Sequence, residues 1–313
     1  MSNKIKFSII LPTYNVEKFI TQALNSCINQ TFKDIEIIVV DDCGQDKSIE
    51  IAKEFALKDE RVKIVYNKEN QGTFTARNNG VLTAKGEYLL FLDPDDYLDE
   101  KTCERLFEIL EQNKDFKLDF IMFNFYQQDE KYHFFKQDTI TKNKLLTKQE
   151  FQRLYFNKDA NCYNVCGKCI KKQVYLKAID TLAVSHKFTV AEDILVCMGI
   201  LLMSDRIYLL NEHLYYYCYN PKSSRDLTKI PQANKDCEFV QNELAKLALK
   251  GDDDYKFFVQ EIILILKIHN ANRSYKYGVW RYPYFKFVHR FILSLKKRYL
   301  NFFRKKIVRK SGF

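Results

Sequence analysis

The chain has few glycines, nine in 313 residues, and they form neither of the common glycine-rich phosphate loops. No G-x-G-x-x-G follows the first predicted strand, which argues against a dinucleotide-binding fold. No G-x-x-x-x-G-K-[ST] occurs anywhere, which excludes a P-loop enzyme. A ligand site in this chain must therefore be built from other side chains.

The sequence also lacks a long apolar segment and a disulfide framework. Its longest uncharged apolar run, residues 194–204, is too short to span a bilayer and is bracketed by Asp193 and Asp205. The cysteines number nine, which is odd, and their spacing is not that of a disulfide framework. We therefore interpret them as reduced, mostly buried thiols. These absences predict a cytoplasmic protein without a signal peptide or a transmembrane helix.

Acidic residues are missing from one part of the chain, residues 276–313, which hold 12 Lys and Arg. Removing those 12 from the 50 basic residues leaves 38, against 40 acidic ones, so the rest of the chain is nearly neutral. A nucleic-acid binder is not built in this way, and we expect no nucleic-acid partner. Apolar and aromatic side chains fall on one helical face of this tail, with cations around it, which favours binding to an anionic membrane surface. A solvated basic helix packed on the rest of the protein is the alternative.

The first 125 residues alternate between buried strands and amphipathic helices. Apolar runs of strand length occur at residues 7–11, 35–40, 62–66, 88–92 and 120–125. The pattern predicts an α/β fold with a mostly parallel sheet and helices on both of its faces, and a first helix capped by Asn15. Residues 127–148 indicate a loop or hairpin, and the chain beyond residue 221 has a helical pattern.

Polar side chains follow three of the predicted strands. Pro12 and Tyr14 end the first strand, Asp41 and Asp42 the second, and residues 93–96 (DPDD) the fourth. Open parallel sheets bind ligands at the carboxyl ends of their strands. Three carboxylates within four residues repel one another unless a cation lies among them, and carboxylate oxygens suit Mg²⁺ or Mn²⁺. A solvated acidic turn that caps the next helix is the alternative.

A further candidate is the acidic pair that precedes the apolar run, residues 192–193 (ED). A carboxylate beside an acceptor hydroxyl can take its proton while the oxygen attacks an electrophilic carbon, so we predict that Asp193 is a general base. The alternative is a helix N-terminus whose acids interact favourably with the helix dipole.

Six short motifs occur in one order along the chain. They are residues 8–15 (SIILPTYN), 39–42 (VVDD), 76–80 (ARNNG), 86–88 (GEY), 93–96 (DPDD) and 192–193 (ED). Together they resemble the family 2 inverting glycosyltransferases of the nucleotide-diphosphosugar (GT-A) fold. We therefore predict the following organisation: a GT-A catalytic domain over residues 1–220, divided into a nucleotide-sugar half (1–125) and an acceptor half (126–220), and a C-terminal helical region (221–313) with the membrane-associating tail (276–313).

The resemblance implies donor-binding roles for residues of the first half. Pro12 and Tyr14 would flank the nucleobase, Asp42 would accept from the uracil imide, and Asp41 would support the loop. Arg77 would lie near the nucleotide.

The resemblance also implies a metal site and a base. Asp93 would reach the ribose or the hydrated metal, and Asp95 would ligate Mn²⁺ or Mg²⁺ directly. Asp193 would be the catalytic base. Tyr219 and Ser224 would lie near the diphosphate.

The implied reaction transfers a hexose from a UDP-hexose donor with inversion. Residues 27–32 (CINQTF), 40–44 (VDDCG) and 91–98 (FLDPDDYL) are most similar to the β-1,3-galactosyltransferases of bacterial lipooligosaccharide outer cores, which use UDP-galactose and an N-acetylgalactosamine acceptor. A glucosyl- or N-acetylglucosaminyltransferase acting on a polyprenyl-diphosphate-linked oligosaccharide is the alternative. The non-enzymatic alternative is a membrane-binding protein with a vestigial transferase domain. Because a lipooligosaccharide or another lipid-linked acceptor lies in the membrane, we predict that the enzyme is peripheral and lies on the inner face of the cell membrane.

Overall fold

A computed structural model describes residues 5–156, 163–220 and 230–276. The predictions for Ser224 and for residues 277–313 of the tail lie outside the described residues. The strands are β1 (Phe7–Thr13), β2 (Ile35–Asp41), β3 (Val62–Tyr66), β4 (Tyr88–Phe91), β5 (Tyr97–Leu98), β6 (Phe120–Gln128), β7 (Phe134–Gln137), β8 (Lys144–Thr147), β9 (Lys168–Lys171) and β10 (Arg206–Tyr217). The α-helices are α1 (Ile20–Ile28), α2 (Ser48–Lys58), α3 (Thr73–Thr83), α4 (Thr102–Gln112), α5 (Lys148–Phe156), α6 (Lys172–Leu182), α7 (Glu192–Leu202), α8 (Ile230–Ala248) and α9 (Asp253–Lys276).

The strands form one sheet in the order β3-β2-β1-β4-β9-β6-β10-β5, with β7 beside β6 and β8 beside β10. Strands β3, β2, β1 and β4 are parallel. Every residue of β1 is buried. Because neighbouring side chains of a strand point to opposite faces, both faces of this part of the sheet are covered. The predicted α/β class is confirmed.

The second part of the sheet is mixed, and for it the prediction of a mostly parallel sheet was wrong. Strand β9 lies antiparallel between β4 and β6, and β5 lies antiparallel to β10, whereas β6 and β10 are parallel. Strand β9 has only four residues, with a lysine at each end, so it shows neither an apolar run nor a clear alternation. Its place in the sheet is decided by tertiary pairing.

Helix α1 begins at Ile20, so the prediction that Asn15 caps it was wrong. Asn15 has a left-handed backbone, with φ of +54°, and its Oδ1 accepts a hydrogen bond from the backbone N–H of Gln45 at 2.7 Å. Asparagine tolerates this conformation and often binds nearby backbone groups. The side chain therefore joins the loop after β1 to the loop after β2.

Helix α3 packs directly on β1 and β2. A Cβ atom at Gly80 would lie 2.6 Å from Ile10 Cγ2 and 3.0 Å from Val40 Cγ2. Glycine is therefore required for the helix to approach the sheet so closely. Arg77, one turn earlier on α3, is consequently buried near the carboxyl ends of these strands.

The C-terminal helices of the described chain pack on the sheet domain: α8 contacts α7 and α9, and α9 also contacts α5. No helix within the described residues is both long and apolar enough to cross a membrane. The eight cysteines among these residues are free thiols and six of them are buried, as the sequence predicts.

Candidate active site

A cavity of about 650 Å³ lies where β1 and β4 end. Pro12 at the end of β1 and Tyr14 just after it line the cavity, and residues 93–96 line it after β4. The first turn of α7 forms another wall, and Ile262 and Leu266 of α9 contribute apolar surface. The cavity thus joins the predicted donor-binding residues to Asp193.

Arg77 connects the acidic groups of this cavity. Its Nη2 lies 2.7 Å from Asp93 Oδ1, and its Nη1 lies 2.5 Å from Asp193 Oδ1. Burial alone would lower the pKa of Arg77, but the carboxylates of Asp193 and Asp93 outweigh it and hold this pKa well above its usual value. The guanidinium is therefore a permanent charge that sets the spacing of two carboxylates from distant parts of the chain.

The acidic pair begins helix α7, as the sequence predicts. Asp193 Oδ2 accepts from the backbone N–H of Val165 at 3.2 Å, so both of its oxygens are oriented by the protein. Burial and the neighbouring Asp193 raise the pKa of Glu192 to about 7. Ala191 precedes the pair with a left-handed backbone, φ +71°, which turns the chain into the helix.

The acidic turn after β4 contains one structural carboxylate and two that are available to a ligand. Asp96 is buried and accepts from the hydroxyl of Tyr215 at 2.6 Å and from the backbone N–H of Cys218 at 2.7 Å. Burial and the adjacent Asp95 raise the pKa of Asp96 well above its usual value. Asp95 accepts a hydrogen bond from Asn220 Nδ2 at 2.9 Å, and burial and Asp93 raise its pKa.

Asp93 and Asp95 could bind a divalent cation whose coordination is completed by other ligands. Among the described residues, no three Asp, Glu, His or Cys side chains converge as a self-sufficient metal site. Mg²⁺ keeps several waters and often binds one or two carboxylates together with substrate phosphates, and Mn²⁺ accepts the same oxygen ligands. Burial contributes most to the raised pKa of Asp95, and the neighbouring Asp93 raises it further; a cation beside the two carboxylates would relieve the repulsion between them.

Asp41 and Asp42 do not line the cavity; they organise the loops beside it. Asp42 is buried, and its carboxylate accepts from Asn67 Nδ2 and from the backbone N–H groups of Gln71 and Gly72, at 2.7 to 2.9 Å. Asp41 accepts from the backbone N–H two residues further on. The contact between Asp42 and uracil stays a prediction.

Tyr219 lies in a second, smaller cavity of about 230 Å³, together with Gln127 and Phe135. Asp95 and Tyr217 line both cavities. The structure therefore separates Tyr219 from Pro12 and Tyr14, although all three are predicted donor-site residues.

Sequence reasoning missed the support of the loop before Asp193. Asp236 of α8 is fully buried, and its Oδ2 accepts from both the backbone N–H and the hydroxyl of Thr189, at 2.7 and 2.6 Å. Its Oδ1 lies 3.0 Å from His186 Nε2. Thr189 lines the main cavity. No local pattern distinguishes an aspartate in the polar segment around residue 236, so only the structure identifies this contact.

The model of the family described as "Glycosyl transferase family 2" matches residues 8–170. The chain belongs to this family. The predicted enzyme class, a glycosyltransferase, is therefore confirmed.

The transferase is 34% identical over 244 residues to the uncharacterized glycosyltransferase EpsJ of Bacillus subtilis (strain 168), a match that covers 77% of this chain and 68% of EpsJ. Matches to several other curated relatives cover only 12% to 42% of those proteins.

Solved structures share the fold. The structure of S. aureus TarS 1-349 in complex with UDP-GlcNAc superimposes with a TM-score of 0.65 at 23% identity, over 87% of this chain and 73% of that one. The mannosyltransferase PcManGT from Pyrobaculum calidifontis, in complex with GDP-Man and Mn²⁺, gives a TM-score of 0.57 at 15% identity, over 88% and 73%. These likenesses confirm the predicted GT-A fold of the transferase.

Proposed function

We propose that this transferase moves a hexose from a UDP-sugar to a membrane-associated glycan acceptor, with inversion at the anomeric carbon. The observation that carries the proposal is the position of Arg77, which holds Asp93 and Asp193 at 2.7 and 2.5 Å in one cavity. A carboxylate suited to the donor and a carboxylate suited to the acceptor are thereby fixed relative to each other.

The donor would lie along the ends of β1 and β4. Pro12 and Tyr14 would flank the nucleobase, with Asp41 and Asp42 supporting the loops beside it. Asp95 and Asp93 would hold Mn²⁺ or Mg²⁺, whose positive charge stabilises a departing diphosphate. The UDP-GlcNAc bound to TarS and the Mn²⁺ bound to PcManGT support this assignment of the two ligands.

Asp193 would activate the acceptor. Arg77 and the Val165 N–H each occupy one of its oxygens, and a carboxylate oxygen has a second lone pair for an acceptor hydroxyl. The proton would pass from that hydroxyl to Asp193 while its oxygen forms the bond to the anomeric carbon and the bond to the diphosphate breaks. An α-linked donor would give a β-glycoside.

The sequence motifs support galactose as the transferred sugar, joined β-1,3 to N-acetylgalactosamine of a lipooligosaccharide. The alternative, a glucosyl- or N-acetylglucosaminyltransferase acting on a polyprenyl-diphosphate-linked oligosaccharide, is favoured by the likeness to TarS bound to UDP-GlcNAc. In both cases residues 1–125 would bind the donor and residues 126–220 would bind the acceptor. The helical region over residues 221–313 would dock the enzyme on the inner face of the membrane through its basic tail.

The tail can be tested separately from the chemistry. Because 12 cations and no acid lie in residues 276–313, we expect that deleting the chain after Arg281 weakens co-sedimentation with vesicles that contain anionic lipid. Neutral vesicles are the control. Equal sedimentation of the full and shortened chains would contradict membrane docking by the tail.

A panel of nucleotide sugars tests the reaction. We expect Mn²⁺-dependent release of UDP from one of UDP-galactose, UDP-glucose or UDP-N-acetylglucosamine, and its loss in EDTA. GDP-mannose is the control for recognition of the nucleobase, because the proposed donor carries uracil and not guanine. Release from none of the three UDP-sugars, with either Mn²⁺ or Mg²⁺, would contradict the proposed function.

A further inference from the structure

The smaller cavity lies beyond the acidic turn, where β6 and β10 end. Along the sheet, β1 and β4 precede β6 and β10. If the nucleobase lies at β1 and the diphosphate at the turn after β4, the next strand ends face the side from which the acceptor approaches. Asp95 and Tyr217 form a wall shared by the two cavities.

Three neighbouring strands contribute side chains to this cavity from one face of the sheet. Gln127 of β6 is in register with Phe135 of β7 on one side and with Tyr217 of β10 on the other. Side chains in register on adjacent strands lie side by side on the same face. An aromatic ring, an amide and a phenol therefore form a row that is set by the sheet rather than by a loop.

The chemistry of the lining matches an uncharged polyol. Among the residues that the structure describes, no lysine, arginine or histidine lines the cavity, whereas Asp95, Asp129 and Glu130 do. Asp129 and Glu130, which the proposed metal ion would not neutralise, would repel a phosphate or another anion there. The Gln127 amide and the Tyr217 hydroxyl make no hydrogen bond to any other described residue, so they can exchange hydrogen bonds with sugar hydroxyls. The exposed ring of Phe135 can cover the apolar face of a pyranose.

We propose that this cavity is the subsite for a neutral pyranose ring of the acceptor glycan. The inference rests on the proposed function of the main cavity, since it requires a donor on the other side of Asp95. It identifies the acceptor class as an uncharged sugar at this position, not a phosphorylated one.

Two phenylalanines of β7 give a matched pair of variants. Phe135 lines the cavity, whereas Phe134 is its neighbour in the strand, points to the opposite face and contacts Tyr97 and Tyr216. Both rings are exposed, so neither substitution removes core packing. Phe135→Ala and Gln127→Ala test the subsite, and Phe134→Ala is the control.

The experiment measures two reactions of the full chain with Mn²⁺. One is the hydrolysis of the UDP-sugar that the nucleotide panel identifies, without acceptor. The other is transfer to p-nitrophenyl β-glycosides of galactose, glucose, N-acetylglucosamine and N-acetylgalactosamine, with glucose 6-phosphate as the anionic probe. We expect Phe135→Ala and Gln127→Ala to raise the KM for the preferred glycoside at least fivefold more than the KM for the donor. Phe134→Ala should change neither KM by more than twofold.

The outcomes separate this inference from the proposed function. Absence of UDP-sugar hydrolysis in the wild type contradicts the proposed function itself. Hydrolysis without transfer to any of the four glycosides, or transfer only to glucose 6-phosphate, overturns the neutral-sugar subsite. It is equally overturned if both cavity variants keep the wild-type acceptor KM, or if the donor KM rises in parallel.

Discussion

The donor side and the acceptor side of the active site are held in place by different kinds of contact. Pro12 lies at the end of β1 and Asp93 follows β4, and the positions of these strands are fixed by parallel pairing of buried apolar strands. Asp193 instead begins a helix after a loop, and individual polar groups orient it: Arg77 from α3 and the Val165 N–H. The sheet therefore determines the donor side, whereas the acceptor side depends on a few side chains and should be altered by single substitutions.

The sharpest test of this comparison exchanges one carboxylate on each side. We expect Asp193→Asn to lower the rate of sugar transfer by roughly 10²- to 10⁴-fold, the usual contribution of a general base, with UDP affinity within threefold of wild type. Asp95→Asn should weaken both transfer and Mn²⁺-dependent UDP binding. Initial rates and calorimetric titration of UDP with Mn²⁺ measure the two effects. Transfer near the wild-type rate in folded Asp193→Asn would contradict its role as base.

Arg77 joins the two sides, and its removal should damage stability as well as activity. Arg77→Met removes a buried guanidinium and leaves the partly exposed carboxylates of Asp93 and Asp193 without their counter-charge, so we expect a loss of about 1–3 kcal/mol in the free energy of unfolding. Arg105→Met is the control, because the Arg105 side chain is 35% exposed where it pairs with Glu212, and we expect a cost below about 1 kcal/mol. Urea denaturation measures both values. Equal costs for the two variants would show that Arg77 does not stabilise Asp93 and Asp193 more than an exposed ion pair would.

A smaller and more selective effect is expected when the hydrogen bonds that hold the loop before Asp193 are weakened. Asp236→Asn weakens the hydrogen bonds to Thr189, so we expect kcat to fall about tenfold, or about 1.4 kcal/mol in activation free energy, while the KM for the donor is unchanged. Asp252→Asn, which alters the start of α9 away from the cavity, is the control. A parallel change in the donor KM would indicate that α8 supports the whole cavity rather than its acceptor side.

One further effect depends on pH. Because burial and Asp193 raise the pKa of Glu192 to about 7, the folded protein holds a proton there that the unfolded chain, with an ordinary pKa near 4.5, releases earlier. This contribution to stability is complete below about pH 4.5 and is lost as the pH rises to 7, by on the order of 3 kcal/mol. Glu192→Gln imitates the protonated form, so its melting temperature relative to wild type should increase from pH 5 to pH 8. A constant difference would contradict the raised pKa.

Sequence patterns predicted the first half of the molecule better than the second. Strands β1 to β4 are mostly apolar, and helices α1 and α2 between them each have one apolar face, so these elements are recognisable from their own residues. Strand β9 and the two-residue strand β5 have no such local signal, because their pairing partners are distant in the chain.

The same distinction applies to the site. Asp93 and Asp193 lie in motifs that the family resemblance identifies, whereas Asp236 becomes important only because α8 packs against α7. The aromatic and amide row of Phe135, Gln127 and Tyr217 likewise depends on the register of three strands. Contacts that form only on packing cannot be read from local periodicity.

The charge of the main cavity has a consequence for the order of events on the enzyme. Arg77 is the only cation among the described residues that line this cavity, and its charge is already shared between Asp93 and Asp193. A bare diphosphate entering there meets net repulsion, and a divalent ion without a diphosphate finds an incomplete set of ligands. Each ligand should therefore strengthen the binding of the other by the same factor, as thermodynamic reciprocity requires. The empty enzyme would then discriminate poorly between sugars until both partners are present, and selection among donors would occur in the ternary complex.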